Sequence, residues 1–277
     1  MRVPSVLFMA LAIGILTGFH LWSLDFSMTW TAAGYIAISS VVTWLIAFNT
    51  YFLALRLGSV GVVAPVTSTD PVFTAVFSVV ILGSALNGWI VGGLLVATAG
   101  VMLISRWMEV PADPHGEVLT APAGRHARRG PQLEVVLLSV TTAAGWGLAP
   151  VIIQLAERSV GGPSATMMLQ SQVLGLALVA PLARRRGAFF TRRLTPDERR
   201  LAVWLVVASG ALEATFSVFY YLLIDHLGAV LTTIIVASSP IFSIVGGMVL
   251  LRERLGLRLA LGAAVTLAGV FLALAGS

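Results

Sequence analysis

Long apolar stretches, interrupted by short clusters of glycine, proline, serine and arginine, dominate the chain. A helix crossing a hydrocarbon core of roughly 30 Å needs about 20 apolar residues. Nine stretches reach that length: Pro4–Trp22, Ala32–Leu55, Val60–Leu82, Gly88–Arg106, Glu134–Ala156, Ser164–Ala183, Leu201–Ile224, Ala229–Leu251 and Leu257–Ala275. Runs such as Val72–Leu82 would pass for buried strands taken alone, but continuation to span length favours helix. The first stretch follows Arg2 like a secretory signal. No small-x-small cleavage site follows it clearly, so it is expected to be a retained span. The pattern therefore predicts an all-α integral membrane protein of nine transmembrane helices.

Composition agrees. Of 277 residues, 58% are hydrophobic and 10% charged, against about 25% charged in a soluble domain. So few charges could not cover a soluble surface, and so much apolar content excludes disorder. Cysteine is absent, which excludes disulfide frameworks, thiolate metal sites and cysteine nucleophiles. All 17 basic residues are arginine, and they orient the chain. With a cytoplasmic amino terminus, sixteen of them lie inside and only Arg158 outside, a strong positive-inside bias. Nine spans then place the carboxyl terminus outside the cytoplasmic membrane. The arginine-rich loop 184–200 is read as a topology determinant that meets anionic lipid headgroups. The net charge of +5 thus belongs to cytoplasmic loops, and no nucleic-acid partner is expected.

Residues 107–132, with Pro111, Pro114, Pro122 and Pro131, read as a cytoplasmic linker. They separate a first half, 1–106, with four helices from a second, 133–277, with five. Tyr51–Val60 parallels Tyr221–Val230. Ser68-Thr69-Asp70-Pro71-Val72-Phe73 parallels Ser238-Ser239-Pro240-Ile241-Phe242, and Gly93, Gly100 and Val101 parallel Gly262, Gly269 and Val270. In the arginine-based topology Val60–Leu82 runs outward and its partner Ala229–Leu251 inward, so the two repeats are inverted. Inverted repeats mark alternating-access transporters, with substrate near the membrane midplane.

These tracts resemble the repeat of EamA-like transporters in the drug/metabolite transporter superfamily. Leu57-Gly58-Ser59-Val60 through Asp70-Pro71, then Gly92-Gly93 and Ala99-Gly100-Val101, are similar to the last three helices of one repeat. Leu227-Gly228-Ala229, Ser239-Pro240, Arg252-Glu253-Arg254 and Ala268-Gly269-Val270 are similar to those of the other, and Gly145-Trp146-Gly147 occupies the place of a first-helix tryptophan-glycine motif. The resemblance implies a ten-helix fold, here lacking its first helix, and export of a small metabolite. It also implies the opposite orientation, with both termini cytoplasmic.

Twelve acidic residues are present, and by this reading only Asp70 and Glu213 lie mid-span. A carboxylate at the bilayer centre costs roughly 3 kcal/mol on insertion scales, so it should face a cavity or partner. Without a cationic neighbour each is poised to exchange protons or to bind a cationic group on the solute. Pro71 and Pro240 each remove an amide donor inside a span, and the freed carbonyls need hydroxyls, water or a cavity. Thr67, Ser68, Thr69, Ser238 and Ser239 could repair those kinks or line a path. Asn49, Thr50 and Tyr51 form a polar patch near a span end, related to Tyr220-Tyr221, which reads as an interfacial belt ahead of a binding site. Gln170 and Gln172 point some 200° apart, so one at most faces a cavity. Trp44 and Trp146 are deep aromatics that pack or shape a pocket. Gly88, Gly92, Gly93 and Gly100, with Gly262, Thr266 and Gly269, permit close helix approach, within a monomer or in a homodimer.

No histidine pairs with an acidic residue at metal-ligand spacing, and no nucleophile-elbow, zincin or P-loop motif occurs. Neither metal nor cofactor is expected. The leading expectation is a secondary transporter of a small metabolite or amino-acid-like solute. A membrane-embedded enzyme or lipid-handling protein is the alternative, and a passive channel the third.

Overall fold

In a computed structural model, the described residues are 6–11, 13, 26–58, 60–107, 133–185, 195–239, 241–242 and 257–276. All regular structure among them is helical. Residues 6–11 are helical and are followed by α1 (Trp30–Ser40), a π-helical stretch (Val41–Ala47), α2 (Phe48–Leu57), α3 (Val60–Thr67) and α4 (Asp70–Leu82). Then come α5 (Gly88–Trp107), α6 (Leu133–Val160), α7 (Ala165–Arg185), α8 (Pro196–Val236) and α9 (Leu257–Leu274). Five apolar segments among the described residues are long enough to span a membrane: Trp30–Leu57, Val62–Leu82, Leu133–Val160, Glu198–Val236 and Leu257–Leu274. Gly88–Ile104 and Ala165–Val179 are shorter apolar helices.

Short polar signals start these helices. Thr29 accepts from the amide of Ala32 at 3.1 Å, and Asn87 from that of Ile90 at 2.9 Å. Thr195 and Glu198 form a reciprocal capping box, the Thr195 amide donating to Glu198 Oε2 (2.9 Å) and the Glu198 amide to Thr195 Oγ1 (3.3 Å). Gly83, at φ 65°, closes α4 in the left-handed conformation that glycine adopts without strain.

Two expected spans differ in detail. Val60–Leu82 is two helices, α3 and α4, because the chain turns at Ser68-Thr69 ahead of Pro71. The stretches Leu201–Ile224 and Ala229 onward form one element, α8, broken at Gly228 (φ 78°, ψ 167°). Most of the expected first span, residues 108–132 of the linker, Pro240 and residues 243–256 lie outside the described residues.

The chain divides into two compact units. One comprises Met1–Leu45 with Ala149–Ala229, the other Ile46–Leu148 with Val230–Ser277, so each draws on both halves of the sequence. In the first, Met9, Ile36, Ile153, Ala156, Met167, Met168, Tyr221 and Ile224 share a buried core. Here the side chain of Gln154 answers the break in α8: its Oε1 accepts from the Ala229 amide at 3.1 Å. Gly228 holds a backbone conformation that side-chain-bearing residues avoid. Gln154→Leu leaves that buried amide without its acceptor and is expected to lower stability by about 1 kcal/mol. Thermal unfolding of the purified protein checks it, and an unchanged midpoint would remove Gln154 from this role.

In the second unit, α5 and α9 pack backbone to backbone. A Cβ on Gly93 would lie 2.5 Å from the Ala273 amide nitrogen, one on Gly100 2.4 Å from that of Thr266, and one on Gly269 2.2 Å from that of Ala97. A Cβ on Gly262 would lie 2.8 Å from Ile104 Cγ1 and 3.2 Å from its amide nitrogen. Positions rise along α5 as they fall along α9, so the helices are antiparallel. Gly93 and Gly262 are 169 residues apart, as are Gly100 and Gly269. That shift converts the Gly93–Ala273 contact into Gly262–Ile104, and Gly100–Thr266 into Gly269–Ala97. The glycine face expected to allow close approach is therefore used inside one chain, by matching helices related by a local two-fold. Gly276, at the end of the chain, accepts from Asn87 Nδ2 in the α4–α5 loop, which puts both on the same side.

Candidate functional site

Within the second unit the polar features gather at the break between α3 and α4. Around the turn at Ser68-Thr69 the hydroxyls bond back onto carbonyls of the preceding turn, some of which also keep a backbone donor, Ser68 N to Ala64 O at 3.0 Å and Thr69 N to Val66 O at 3.2 Å. Thr67 Oγ1 donates to Val63 O (3.0 Å), Ser68 Oγ to Ala64 O (2.8 Å) and Thr69 Oγ1 to Val66 O (2.7 Å). The second repeat does the same: the chain turns at Ala237-Ser238, and Ser238 Oγ donates to Ile235 O at 2.6 Å. These hydroxyls are held by the backbone of the preceding turn, while Ser239 is exposed. Pro71 is buried in the first turn of α4.

Asp70 opens α4 and is half-buried. The backbone of α6 approaches it closely because residue 147 is glycine: a Cβ there would lie 2.6 Å from Phe73 Cβ, 2.7 Å from Asp70 O and 2.9 Å from the Thr74 nitrogen. Here the tryptophan-glycine motif has a physical task. Its glycine seats α6 on the break, and its tryptophan packs against α2. The Trp146 ring centroid is 5.2 Å from that of Tyr51 and 5.6 Å from that of Phe48, the latter edge-on. Tyr51 is thus part of an aromatic cluster with Trp146.

Thr50, beside Tyr51, sits just beyond the π-helical stretch. Its hydroxyl lies 2.8 Å from Thr142 Oγ1 and 3.0 Å from both Ile46 O and Ala47 O. A π turn widens the hydrogen-bond ladder, and such turns recur at functional sites. Asn49 is half-buried on α2.

The first unit holds the other expected residues. Glu213 is half-buried on α8. Gln170 Nε2 donates to Ala33 O (3.0 Å), and Gln172 Nε2 to Ser217 Oγ (2.8 Å), so both amides tie helices together. The indole of Trp44 lies over Gly175, where a Cβ would be 2.8 Å from its Nε1. Tyr221 is buried, and its hydroxyl makes no hydrogen bond of normal geometry although Ser171 lies beside it. Asp70 and Glu213 belong to different units.

One residue was missed in the sequence. Glu157 lies within α6, which continues to Val160, and is only 2% exposed. The run of apolar residues ends at Ala156, so Glu157-Arg158 reads there as a charged span end. Helical rotation separates the pair, turning Glu157 inward while Arg158 is exposed. Among the described residues no group of three or more histidine or acidic side chains could hold a metal ion.

Comparison with known proteins bears on the whole chain. The sequence pattern of the EamA-like transporter family matches residues 3–106 and 133–275. A solved structure titled only "Crystal structure of protein" shares the fold with a TM-score of 0.67 at 18% identity, covering 100% of this chain and 88% of that one. No match was found among curated proteins.

Proposed function

The chain belongs to the EamA-like transporter family, and from that premise we propose how this multi-pass membrane protein works. It is a secondary transporter that carries a small amphipathic, amino-acid-like solute outward across the cytoplasmic membrane. Asp70 at the α3–α4 break receives the solute's ammonium group. The observation that carries this reading is the break itself. Backbone irregularity at membrane depth is tolerated where it is buried in protein or lines a cavity, and transporters use broken helices in this way. The carboxyl end of α3 adds partial negative charge beside Asp70. The Trp146, Tyr51 and Phe48 rings offer the apolar and cation-attracting faces that an amphipathic cation needs. Glu213 is an acidic group that the first unit contributes to transport, and Asn49, Gln170 and Tyr221 are further polar candidates. The antiparallel α5–α9 pair supports repeats inverted about an axis in the membrane plane.

Orientation follows the arginine bias, with the amino terminus cytoplasmic and the carboxyl terminus external. Because the chain lacks cysteine, a single cysteine introduced at Ser277 reports its side by labelling with an impermeant thiol reagent in whole cells. In proteoliposomes, aromatic amino-acid amides or similar organic cations are expected to show saturable counterflow. Product formation without any gradient would point to a membrane enzyme, and flux without saturation to a channel. Either result would overturn the transporter reading.

A further inference from the structure

Glu157 takes no part in the solute site at Asp70. Both of its carboxylate oxygens are buried and accept no hydrogen bond in the structure. Core residues Ile153 and Ala156 flank it on α6. A carboxylate held that way keeps neither water nor a donor, and burying it costs several kcal/mol unless the charge is removed or matched. Asp225 of α8 lies by the end of α6: its Oδ1 is 3.8 Å from where a Cβ on Gly162 would be, and the Gly162 amide donates to Glu157 O at 3.0 Å. Tyr221, one turn earlier on α8, shares the core cluster of Ile153 and Ala156. Tyr221 is 3% exposed, and its hydroxyl too has no hydrogen-bond partner. Ser171 of α7 stands beside that hydroxyl, with its own proton given to Met168 O at 2.8 Å. Arg158, the neighbouring cation on α6, is exposed. No salt bridge to Glu157 is found among the described residues.

From this buried carboxyl the chain offers graded access to solvent. The Asp225 side chain is 35% exposed and that of His226 67%. His226 Nδ1 lies 3.5 Å from Asp225 Oδ2 and 2.9 Å from Leu222 O. A carbonyl oxygen can only accept, so Nδ1 carries a hydrogen and Nε2 is the nitrogen free to take a proton.

We propose that Glu157 is a proton-binding site, filled from the aqueous side through His226 and Asp225, with the Tyr221 hydroxyl as its buried neighbour. A proton from water reaches Asp225 directly or by way of the imidazole, which accepts at Nε2 and releases at Nδ1. Asp225 then passes it to Glu157, where an O–H bond forms, and Asp225 returns to a carboxylate. The charge that burial penalises is thereby neutralised. In the arginine-based orientation this port opens outside, so the proposal deepens the transporter reading by supplying an inward-moving proton to an exporter.

Infrared difference spectra of the full chain in lipid nanodiscs, recorded across a pH series without solute or gradient, test it. The parent protein is expected to show a titrating band of a protonated carboxyl that Glu157→Gln abolishes. Glu157→Asp should retain the band at a shifted frequency, which decides the matter if the Gln variant fails to fold. Asp225→Asn should slow exchange of that proton with deuterated water by on the order of a hundredfold. A band that survives Glu157→Gln, or is absent from the parent, overturns the site. Exchange at the parental rate in Asp225→Asn overturns the route. Since neither solute nor gradient is present, such a failure leaves solute carriage standing, and failed counterflow leaves the band intact.

Discussion

Alanine at Gly100 is expected to destabilise the protein strongly, although alanine is the better helix former. Replacing glycine by alanine inside a helix gains about 1 kcal/mol in propensity. At Gly100 the added Cβ would sit 2.4 Å from both the nitrogen and Oγ1 of Thr266 and 2.8 Å from its Cα. Backbone cannot yield as a flexible side chain can, so α5 and α9 must separate along the face where Gly93, Ala97 and Ile104 meet Ala273, Gly269 and Gly262. Overpacking of this kind costs about 1–3 kcal/mol, and loss of close contact along the rest of the face adds to it. Gly92 provides the contrast: a Cβ there meets only Leu272 Cδ2 at 3.5 Å, an ordinary contact. Gly92→Ala should therefore hold or raise the unfolding temperature, while Gly100→Ala lowers it by many degrees. Gly269→Ala, its two-fold mate, should match Gly100→Ala. The double variant should fall short of the sum, because one interface is opened once. A Gly100→Ala protein as heat-stable as the parent would show that α5 and α9 are not packed this closely in solution.

That interface was legible in the sequence because close helix approach needs small residues at three- and four-residue spacing, and two copies display them. The break at Ser68-Thr69 was legible for a related reason: Pro71 removes an amide, and residues whose hydroxyls bond back to the backbone cluster ahead of it. Even the one-residue register change between the repeats has a place, since the chain breaks at matching positions on either side of it, Gly58 and Gly228 before and Thr69 and Ser238 after. Glu157 was not legible. Its burial depends on how far α6 continues beyond the apolar run and on which way one turn of helix points, and hydropathy carries neither. The π-helical stretch Val41–Ala47 escaped too, because a widened hydrogen-bond ladder leaves no composition signal. Gly147 lay between these cases. The motif was visible, but only the packed structure shows that its glycine admits the Asp70 turn.

Asp70→Asn is expected to remove most transport of cationic solutes while sparing the fold. The substitution keeps size and polarity at the head of α4, where Thr74 Oγ1 bonds to the Asp70 carbonyl rather than to its side chain (3.1 Å). Only the charge that would meet an ammonium is lost. Leaving a desolvated cation without its partner costs about 3 kcal/mol, on the order of a hundredfold in transport efficiency. Neutral isosteres of the same solutes never used that charge, so their counterflow should change little, and the preference of the carrier should shift toward them. Gly147→Ala acts by another route. It pushes α6 off the Phe73–Thr74 backbone and should slow cationic and neutral solutes together. The two variants separate recognition from architecture: a selective loss assigns Asp70 to the solute, and an equal loss for both solute classes would make it a structural carboxyl of the helix break. Unchanged counterflow of the cation in Asp70→Asn would move the site away from this break altogether, leaving the acidic groups of the first unit to account for solute binding.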